Sequence, residues 1–300
     1  MSKALSAVLL ILFALTAPFC WAQENAAPAE VSSAPDGADS AAPVPGPSPL
    51  VPEPIQPAIS APAAAPSEWH ILGSQWKGVG PDLLHQQKEI WLFPWSLAHG
   101  HHWKPALAVV GVTALLTTLD VHNAQWVRNN VQPLGGFNTT FAGYNTATAT
   151  EAFASAFYLV GIARRNAYDQ HTFLLAGEAV IDSEILTTVL KDIDGREAPI
   201  TYPAGGNFRD SWFKIRSGGW LGGLGSMPSG HEIAVMSVAT IFAERYPHPA
   251  WHRWVAYGLA SLVGISRVTL QSHFTSDTVA GGALGYFIAR YLVLGNHPTN

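Results

Sequence analysis

The sequence predicts an all-α protein built as a bundle of about six core helices. Six apolar runs follow one another along the chain, separated by segments containing Gly, Asn, Pro or charged residues, which commonly end helices. No stretch alternates convincingly between apolar and polar residues with the period of two that predicts a strand. The runs lie at about residues 105–119, 151–163, 172–190, 231–244, 252–266 and 278–294.

The composition narrows the class of protein. Of 300 residues, 48% are hydrophobic and only 12% are charged, the latter about half the usual share for a soluble domain. This favours a chain that touches a membrane or has an unusually apolar helical core. The formal net charge of -5 offers no basic surface for a nucleic acid, so we expect no nucleic-acid partner. The oligomeric state is left open.

The N-terminal residues 1–22 have the features of a secretory signal peptide. Lys3 provides the positive start, residues 4–15 are apolar, and a small-residue cleavage point follows at Ala22. An uncleaved anchor helix is the alternative. We therefore expect an exported protein of the periplasm or cell envelope. Because Cys20 is the only cysteine, the mature chain would have no disulfide.

The domain is expected to span residues 68–300. Residues 23–67 before it are rich in Ala, Pro and Ser and lack aromatic residues, which predicts a disordered linker. Six aromatic residues in segment 68–103 suit a membrane interface or the edge of a helical core equally well. The histidines of this segment match no standard metal-site spacing, and we interpret them as a solvated turn: His99, His101 and His102.

Two blocks of residues carry the chemistry. In the second block, His273 and Asp277 are four positions apart and share one face of a helix. A carboxylate beside an imidazole fixes its tautomer, which leaves the other ring nitrogen able to attack an electrophile. Arg267, just upstream, offers a planar set of donors suited to an oxyanion. Either histidine alone could be an ordinary core residue, but the two blocks together favour a phosphoryl-binding site.

The first block opens an apolar run with the sequence Pro-Ser-Gly-His at residues 228–231. Ser229 can cap the helix that follows, and the N–H groups at a helix start form an anion site. His231 is placed there as a proton donor to a leaving oxygen. A phosphate cradle of the nucleotide type is not expected in the glycine-rich loop 200–226, because the required Lys-Ser/Thr pair is absent.

These blocks resemble motifs of the type 2 phosphatidic acid phosphatase / vanadium haloperoxidase superfamily. P-S-G-H and S-R-x5-H-x3-D match its second and third motifs over a resemblance that covers about residues 100–295. In the first motif, K-x6-R-P, Lys191 and Pro199 are in register, but Ala198 occupies the arginine position. The resemblance implies the helical fold of acid phosphatases and haloperoxidases.

The resemblance also implies a reaction. A phosphomonoester or a lipid phosphate or diphosphate would be hydrolysed through a phosphohistidine on His273, with Asp277 orienting the ring and His231 protonating the leaving oxygen. It implies neither a metal nor another cofactor for phosphatase members. Lys214 or Arg216 could compensate for Ala198. The expected phosphate-binding residues are Lys191, Arg267, Ser229, Gly230 and, in place of the missing arginine, Arg196.

Two other functions remain open at this stage. A vanadate-dependent haloperoxidase would use the same pocket, and Ala198 motivates a non-catalytic phosphate-binding envelope protein. The sequence does not identify the substrate. Membrane insertion is also open, because the apolar runs are shorter than the roughly 20 residues that a span needs. Three acidic residues in run 172–190 would be costly in lipid: Glu178, Asp182 and Glu184.

Overall fold

The computed structural model describes residues 68–131, 135–141, 143–203, 205–214 and 223–297, so the predicted signal peptide and linker lie outside the described residues. Every regular element within these ranges is helical, which confirms the all-α prediction. The helices are α1 (Glu68–Ala98), α2 (Trp103–Asn130), α3 (Gly135–Thr140), α4 (Gly143–Ala163), α5 (Ala167–Asp194), α6 (Gly230–Arg245), α7 (Trp251–Thr269), α8 (Thr275–Phe287) and α9 (Leu294–Asn296), with a 3-10 turn at Pro199–Thr201 and a π-helical segment at Ile288–Val293.

Five of the six predicted runs each lie within one helix, and run 278–294 extends from α8 through the π-helical segment into α9. The short helix α3 was not predicted, and neither was the long helix α1. It contains two prolines, which usually break a helix interior. It also lacks a continuous apolar run, because two glutamines lie on the side of the helix that contacts α5. Gln86 and Gln87 donate hydrogen bonds to the carboxylates of Glu178 and Asp182 on α5, at 3.0 and 2.8 Å. A helix that contacts its neighbour through such polar pairs lacks the apolar periodicity from which helices are predicted.

Helix α6 is the centre of the bundle and packs against α5, α7 and α8. Its contact with α8 is very close at Gly285, where an added Cβ would lie 2.3 Å from the carbonyl oxygen of Ile233. Ser237 on α6 hydrogen-bonds Ser183 on α5 at 2.8 Å. Small residues at these positions therefore let the helix backbones approach each other.

The helix order brings four helix ends together at one end of the bundle. The C-terminal ends of α5 and α7 meet the N-terminal ends of α6 and α8, and two backbone hydrogen bonds join the segments there. Ser229 N donates to the carbonyl oxygen of Asp277 at 3.0 Å, and Ser226 N donates to that of Arg196 at 2.8 Å. This end carries the residues of all three motifs.

Two helical stretches in the described residues, α2 and Thr275–Asn296, are long and apolar enough to cross a membrane. They differ in burial: 56% of the apolar window in the second stretch is buried, as in a core helix, against 6% for α2. With 28 residues, α2 exceeds its predicted run and the length of about 20 residues that a span needs. Its exposed large apolar side chains are Trp103, Leu107, Val109, Val110, Val112, Leu115, Leu119 and Trp126.

Candidate active site

The imidazole of His273 is held through its Nδ1 atom. This nitrogen lies 2.7 Å from the carbonyl oxygen of Ser226, and 3.7 Å from Asp277 Oδ2. A carbonyl oxygen can only accept, so Nδ1 carries the hydrogen and Nε2 carries the lone pair. The sequence predicted Asp277 as the partner of this ring. The nearer acceptor is a backbone carbonyl 47 positions away. Every residue has such a group, so the sequence does not indicate which one contacts the ring.

Asp277 itself is fully buried in the first turn of α8. Its Oδ2 accepts a hydrogen bond from Phe274 N at 2.9 Å. Its Oδ1 accepts one from Arg196 Nη1 at 2.5 Å. The carboxylate that faces His273 is therefore fixed by two donors.

Arg196 lies between two buried carboxylates. Its Nη2 donates to Asp120 Oδ2 at 2.7 Å, and its Nη1 also donates to Ser276 Oγ at 2.8 Å. The guanidinium is 1% exposed and lies over the rings of Trp212 and Phe274. The expectation that Arg196 holds phosphate remains a prediction, but these bonds direct our proposal to a different role.

Asp120 was not singled out in the sequence, although a signal existed. It is the one acidic residue of α2 and it follows an apolar run, where a charged side chain is costly unless it is paired. Besides Arg196, it accepts hydrogen bonds from both the backbone N and the hydroxyl of Ser276. It therefore ties α2 to the start of α8.

Ser229 is fully buried at the start of α6. Its side chain makes no capping hydrogen bond, so the expected cap by this hydroxyl is wrong. Its Oγ has no hydrogen-bond partner in the described part of the chain. A buried hydroxyl without a partner is costly, and a phosphoryl oxygen would satisfy it.

Lys191 ends α5 close to the second motif. The position that a Cβ would take on Gly230 lies 3.6 Å from Lys191 Nζ, so the structure brings the first and second motifs together. Burial lowers the pKa of Lys191, while the carboxylates of Glu184, Asp194 and Asp277 act in the opposite direction. The ammonium group therefore stands in a partly dry site where its attraction for an anion is strong.

Arg267 is 3% exposed at the end of α7, and its Nη2 donates to Ser266 Oγ at 2.9 Å. Its acidic neighbour Glu232, which follows His231 directly, was not predicted from the sequence. Glu232 is also 3% exposed, and its Oε2 has no hydrogen-bond partner among the described residues. Burial raises the pKa of Glu232 to about 8, against the lowering effect of the Arg267 charge. The basic side of the site thus contains a buried acid.

His231 occupies the first turn of α6 and is half-buried. It directly follows Gly230, the residue beside which Lys191 lies. Its role as proton donor remains a prediction. Lys214, which could compensate for the missing arginine, forms an ion pair with Asp210. Arg216, the other candidate for this role, lies outside the described residues.

A loop clamp beside the site was also missed by the sequence analysis. Arg128, in the last turn of α2, donates to Gln271 Oε1 at 3.0 Å and to the carbonyl oxygens of Pro199 and Pro203 at 2.6 and 3.0 Å. It therefore holds the loop that follows Ala198. A small cleft next to this clamp is lined by Ala124, Val127, Pro199, Val268, Gln271, His273, Phe274 and Thr275.

The fold and the site define a helical bundle with a histidine–carboxylate pair and basic side chains gathered at one end. Residues 172–298 match the sequence model of the PAP2 superfamily. Over these residues the match confirms the resemblance stated from the motifs.

Two known proteins are similar to parts of the chain. Over 64 residues, or 21% of this chain, it is 36% identical to a lipid A 1-phosphatase from Porphyromonas gingivalis, and the match spans only 14% of that relative. The fold was also compared with the first transmembrane PAP2 type phosphatidylglycerolphosphate phosphatase from Bacillus subtilis. The TM-score is 0.44 at 22% identity, covering 65% of this chain and 96% of the other.

Proposed function

We propose that the protein is a phosphatase that hydrolyses a lipid phosphate through a covalent phosphohistidine at His273. The observation that carries the proposal is the 2.7 Å contact between His273 Nδ1 and the carbonyl oxygen of Ser226. This contact leaves the lone pair on Nε2, the atom that must attack phosphorus. The match of residues 172–298 to the PAP2 superfamily model supports the reaction class.

The reaction has two displacement steps. In the first, the Nε2 lone pair of His273 forms a bond to phosphorus, the bond from phosphorus to the leaving oxygen breaks, and protonated His231 gives its proton to that oxygen. In the second, neutral His231 takes a proton from water as the water oxygen attacks phosphorus. The phosphorus–nitrogen bond then breaks, which returns His273 and releases inorganic phosphate.

The transferred phosphoryl group needs positive charge and donors around its equatorial oxygens. Lys191, Arg267, Ser229 and the N–H of Gly230 supply them in this proposal. Two observations support the assignment: Lys191 Nζ lies next to Gly230, and the buried Ser229 Oγ has no hydrogen-bond partner among the described residues.

Arg196 acts in this proposal as a positioning residue rather than a phosphate ligand. Its guanidinium is buried and bonded to Asp120 and Asp277. By fixing the Asp277 carboxylate, it stabilises the positive charge that His273 acquires when it becomes phosphorylated. Removing it would leave two buried carboxylates without their common partner.

A lipid substrate is proposed because the site lies beside an apolar, exposed helix. The outward side chains of α2 are suited to contact with a bilayer, and α2 also supplies Asp120 and Arg128 to the site region. The name of the Porphyromonas gingivalis relative also refers to a lipid phosphate. We further propose that the protein is exported to the cell envelope and that α2 lies in the membrane there.

The test is phosphate release by the full chain in detergent micelles. The panel comprises phosphatidate, a prenyl diphosphate, lipid A and a small soluble phosphomonoester. We expect release from at least one lipid, loss of release in His273→Ala, and a labelled phosphoenzyme trapped by an alkaline denaturing quench in the wild type only. His122→Ala is the matched control, because His122 is exposed on α2. Turnover that survives His273→Ala would remove the nucleophile assignment.

Because Ala198 stands at the arginine position of the first motif, a second candidate function is a protein that binds phosphate but does not hydrolyse a substrate. This alternative predicts that phosphate or vanadate protects the chain against thermal unfolding while no substrate in the panel is hydrolysed. Halide oxidation that depends on added vanadate would instead indicate a haloperoxidase. Phosphate release from a lipid excludes the non-catalytic alternative.

A further inference from the structure

A second group of ionisable side chains, one buried and two half-buried, lies away from the site. It joins Asp82 on α1, Glu178 on α5 and His297 just after α9, and one ligand atom from each residue lies within 4.8 Å of the other two. Along α5, Glu178 precedes Lys191 by almost four turns, or roughly 20 Å at 1.5 Å per residue. The proposed reaction uses none of these three residues.

The distances in this group are those of a shared ligand rather than of direct hydrogen bonds. His297 Nε2 lies 3.5 Å from Asp82 Oδ2 and 3.8 Å from Glu178 Oε2, whereas a hydrogen bond between N and O is about 2.9 Å. Two ligands that are each about 2.1 Å from a tetrahedral zinc ion are separated by roughly 3.4 Å. His297 Nε2 has no hydrogen-bond partner among the described residues.

Gln86 provides an independent observation. This residue is completely buried, and its Nε2 donates to Glu178 Oε2 at 3.0 Å. The Oε1 atom of the same amide has no hydrogen-bond partner in the described part of the chain. A buried amide oxygen without a partner is costly, and this cost would be removed if the oxygen contacted a cation bound at Glu178.

The charges of the group also favour a bound cation. Glu178 is 3% exposed, and burial of a carboxylate is unfavourable unless it is paired or coordinates a metal. Within the described ranges, the only ion pairs of Asp82 and Glu178 are those with His297. One imidazole therefore faces two carboxylates, and it is positively charged only when protonated.

We propose that Asp82, Glu178 and His297 bind a divalent cation of the zinc class. A mixed set of imidazole and carboxylate ligands suits this class. The bound ion ties the C-terminal segment to α1 and α5, and its role is structural. The partly exposed side chains of Asp82 and His297 provide an entry path from solvent.

The test uses the full chain in detergent, treated with EDTA, reloaded with Zn²⁺ and desalted. We expect one tightly bound zinc ion per chain by mass spectrometry, and a Tm that falls with EDTA and recovers with Zn²⁺. Asp82→Asn and His297→Ala should each lose the bound zinc and the response of Tm. His85→Ala is the matched control, because His85 forms an exposed pair with Glu89 on the same helix α1.

Three results would overturn the proposal: no zinc retained by the wild type, equal retention in His297→Ala, or a Tm that does not respond to metal. If a protonated His297 bridged the two carboxylates instead, Tm would depend on pH and would not respond to metal. Binding of Co²⁺ gives a readout independent of stability, because its visible absorption reports nitrogen and oxygen ligands. None of these measurements depends on phosphatase activity, so the cation-site proposal and the phosphatase proposal can each be wrong without affecting the other.

Discussion

Arg196 Nη1 lies 2.5 Å from Asp277 Oδ1, and the other terminal nitrogen of the same guanidinium lies 2.7 Å from Asp120 Oδ2. Two carboxylates that are each at most 1% exposed thus share one cation. It joins α2 to α8 through the loop that follows α5. Breaking a buried pair by removing one partner is much more costly than losing a surface pair, because a charge is left uncompensated.

Replacing Arg196 with alanine should therefore affect both stability and turnover. We expect Arg196→Ala to lower the free energy of unfolding by about 3–5 kcal/mol. We also expect kcat to fall by about 100-fold through misplacement of Asp277 and His273, with little change in KM. Chemical denaturation and steady-state kinetics on a lipid phosphate measure the two effects.

Asp120→Asn is the control for this prediction. It removes the distal carboxylate and leaves the bond between Arg196 and Asp277 in place, so it should reduce stability while retaining most of the turnover. If Arg196→Ala raised KM and left kcat unchanged, Arg196 would instead be a substrate ligand. Equal losses of kcat in both variants would indicate a purely structural role.

The helical bundle was predictable because most of its helices carry an apolar run that is bounded by helix-ending residues. Helices α1 and α3 were the exceptions. In α1, Gln86 and Gln87 pair with acids on α5. The same pairing explains why acidic residues occur in run 172–190. A sequence pattern records which residues are polar but not that their partners come from a helix about 90 positions away.

The site was predictable where its residues are local in sequence. His273 and Asp277 share one helix turn, and their pairing followed from spacing alone. The carbonyl of Ser226 and the side chain of Arg128 could not be inferred, because each reaches the site through the tertiary fold. Asp120 stands out as a charged residue in an apolar helix, but the sequence does not show that its partner is Arg196. The role of Arg196 depends on the same long-range contacts.

Restoring the first-motif arginine should strengthen phosphate binding. Ala198 has extended backbone angles, with φ -75° and ψ 150°, which an arginine adopts without strain. It precedes Pro199, which lines the cleft beside His273. A hydrogen bond to a charged group contributes about 1.5–3 kcal/mol, so kcat/KM in Ala198→Arg should rise by about tenfold or more. Ala198→Gln is the uncharged control and should show no such gain.

The apolar surface of α2 should hold the protein in a membrane. An acidic residue at the centre of a membrane helix costs about 2.5–3.5 kcal/mol, so Leu107→Glu combined with Leu115→Glu should prevent stable insertion. After a carbonate wash, we expect the wild type in the membrane pellet and the double variant in the soluble or degraded fraction. Phe213→Glu changes an exposed apolar residue outside the helices and should behave as the wild type. Complete release of the wild type by carbonate would contradict the membrane proposal.

Glu232 should give the protein a characteristic pH dependence of stability. Burial raises the pKa of this carboxyl from 4.5 to about 8, so between these values the folded chain binds a proton that the unfolded chain has released. The free energy of unfolding should therefore decrease as pH rises from about 4.5 to about 8, and then level off. In Glu232→Gln the contribution of this carboxyl to the decrease should be absent, so the stability of the variant relative to the wild type should grow across the same interval.

The same titration should influence substrate binding. Above about pH 8 the Glu232 carboxylate adds a negative charge near Arg267, so KM for an anionic substrate should rise in the wild type and stay lower in Glu232→Gln. Denaturant titrations and KM values between pH 5 and pH 9 would measure both effects. Glu151→Gln, an exposed change on α4, should reproduce the wild-type curves. If the Glu232→Gln curve ran parallel to that of the wild type, this carboxyl would not be the group whose ionisation couples stability to pH.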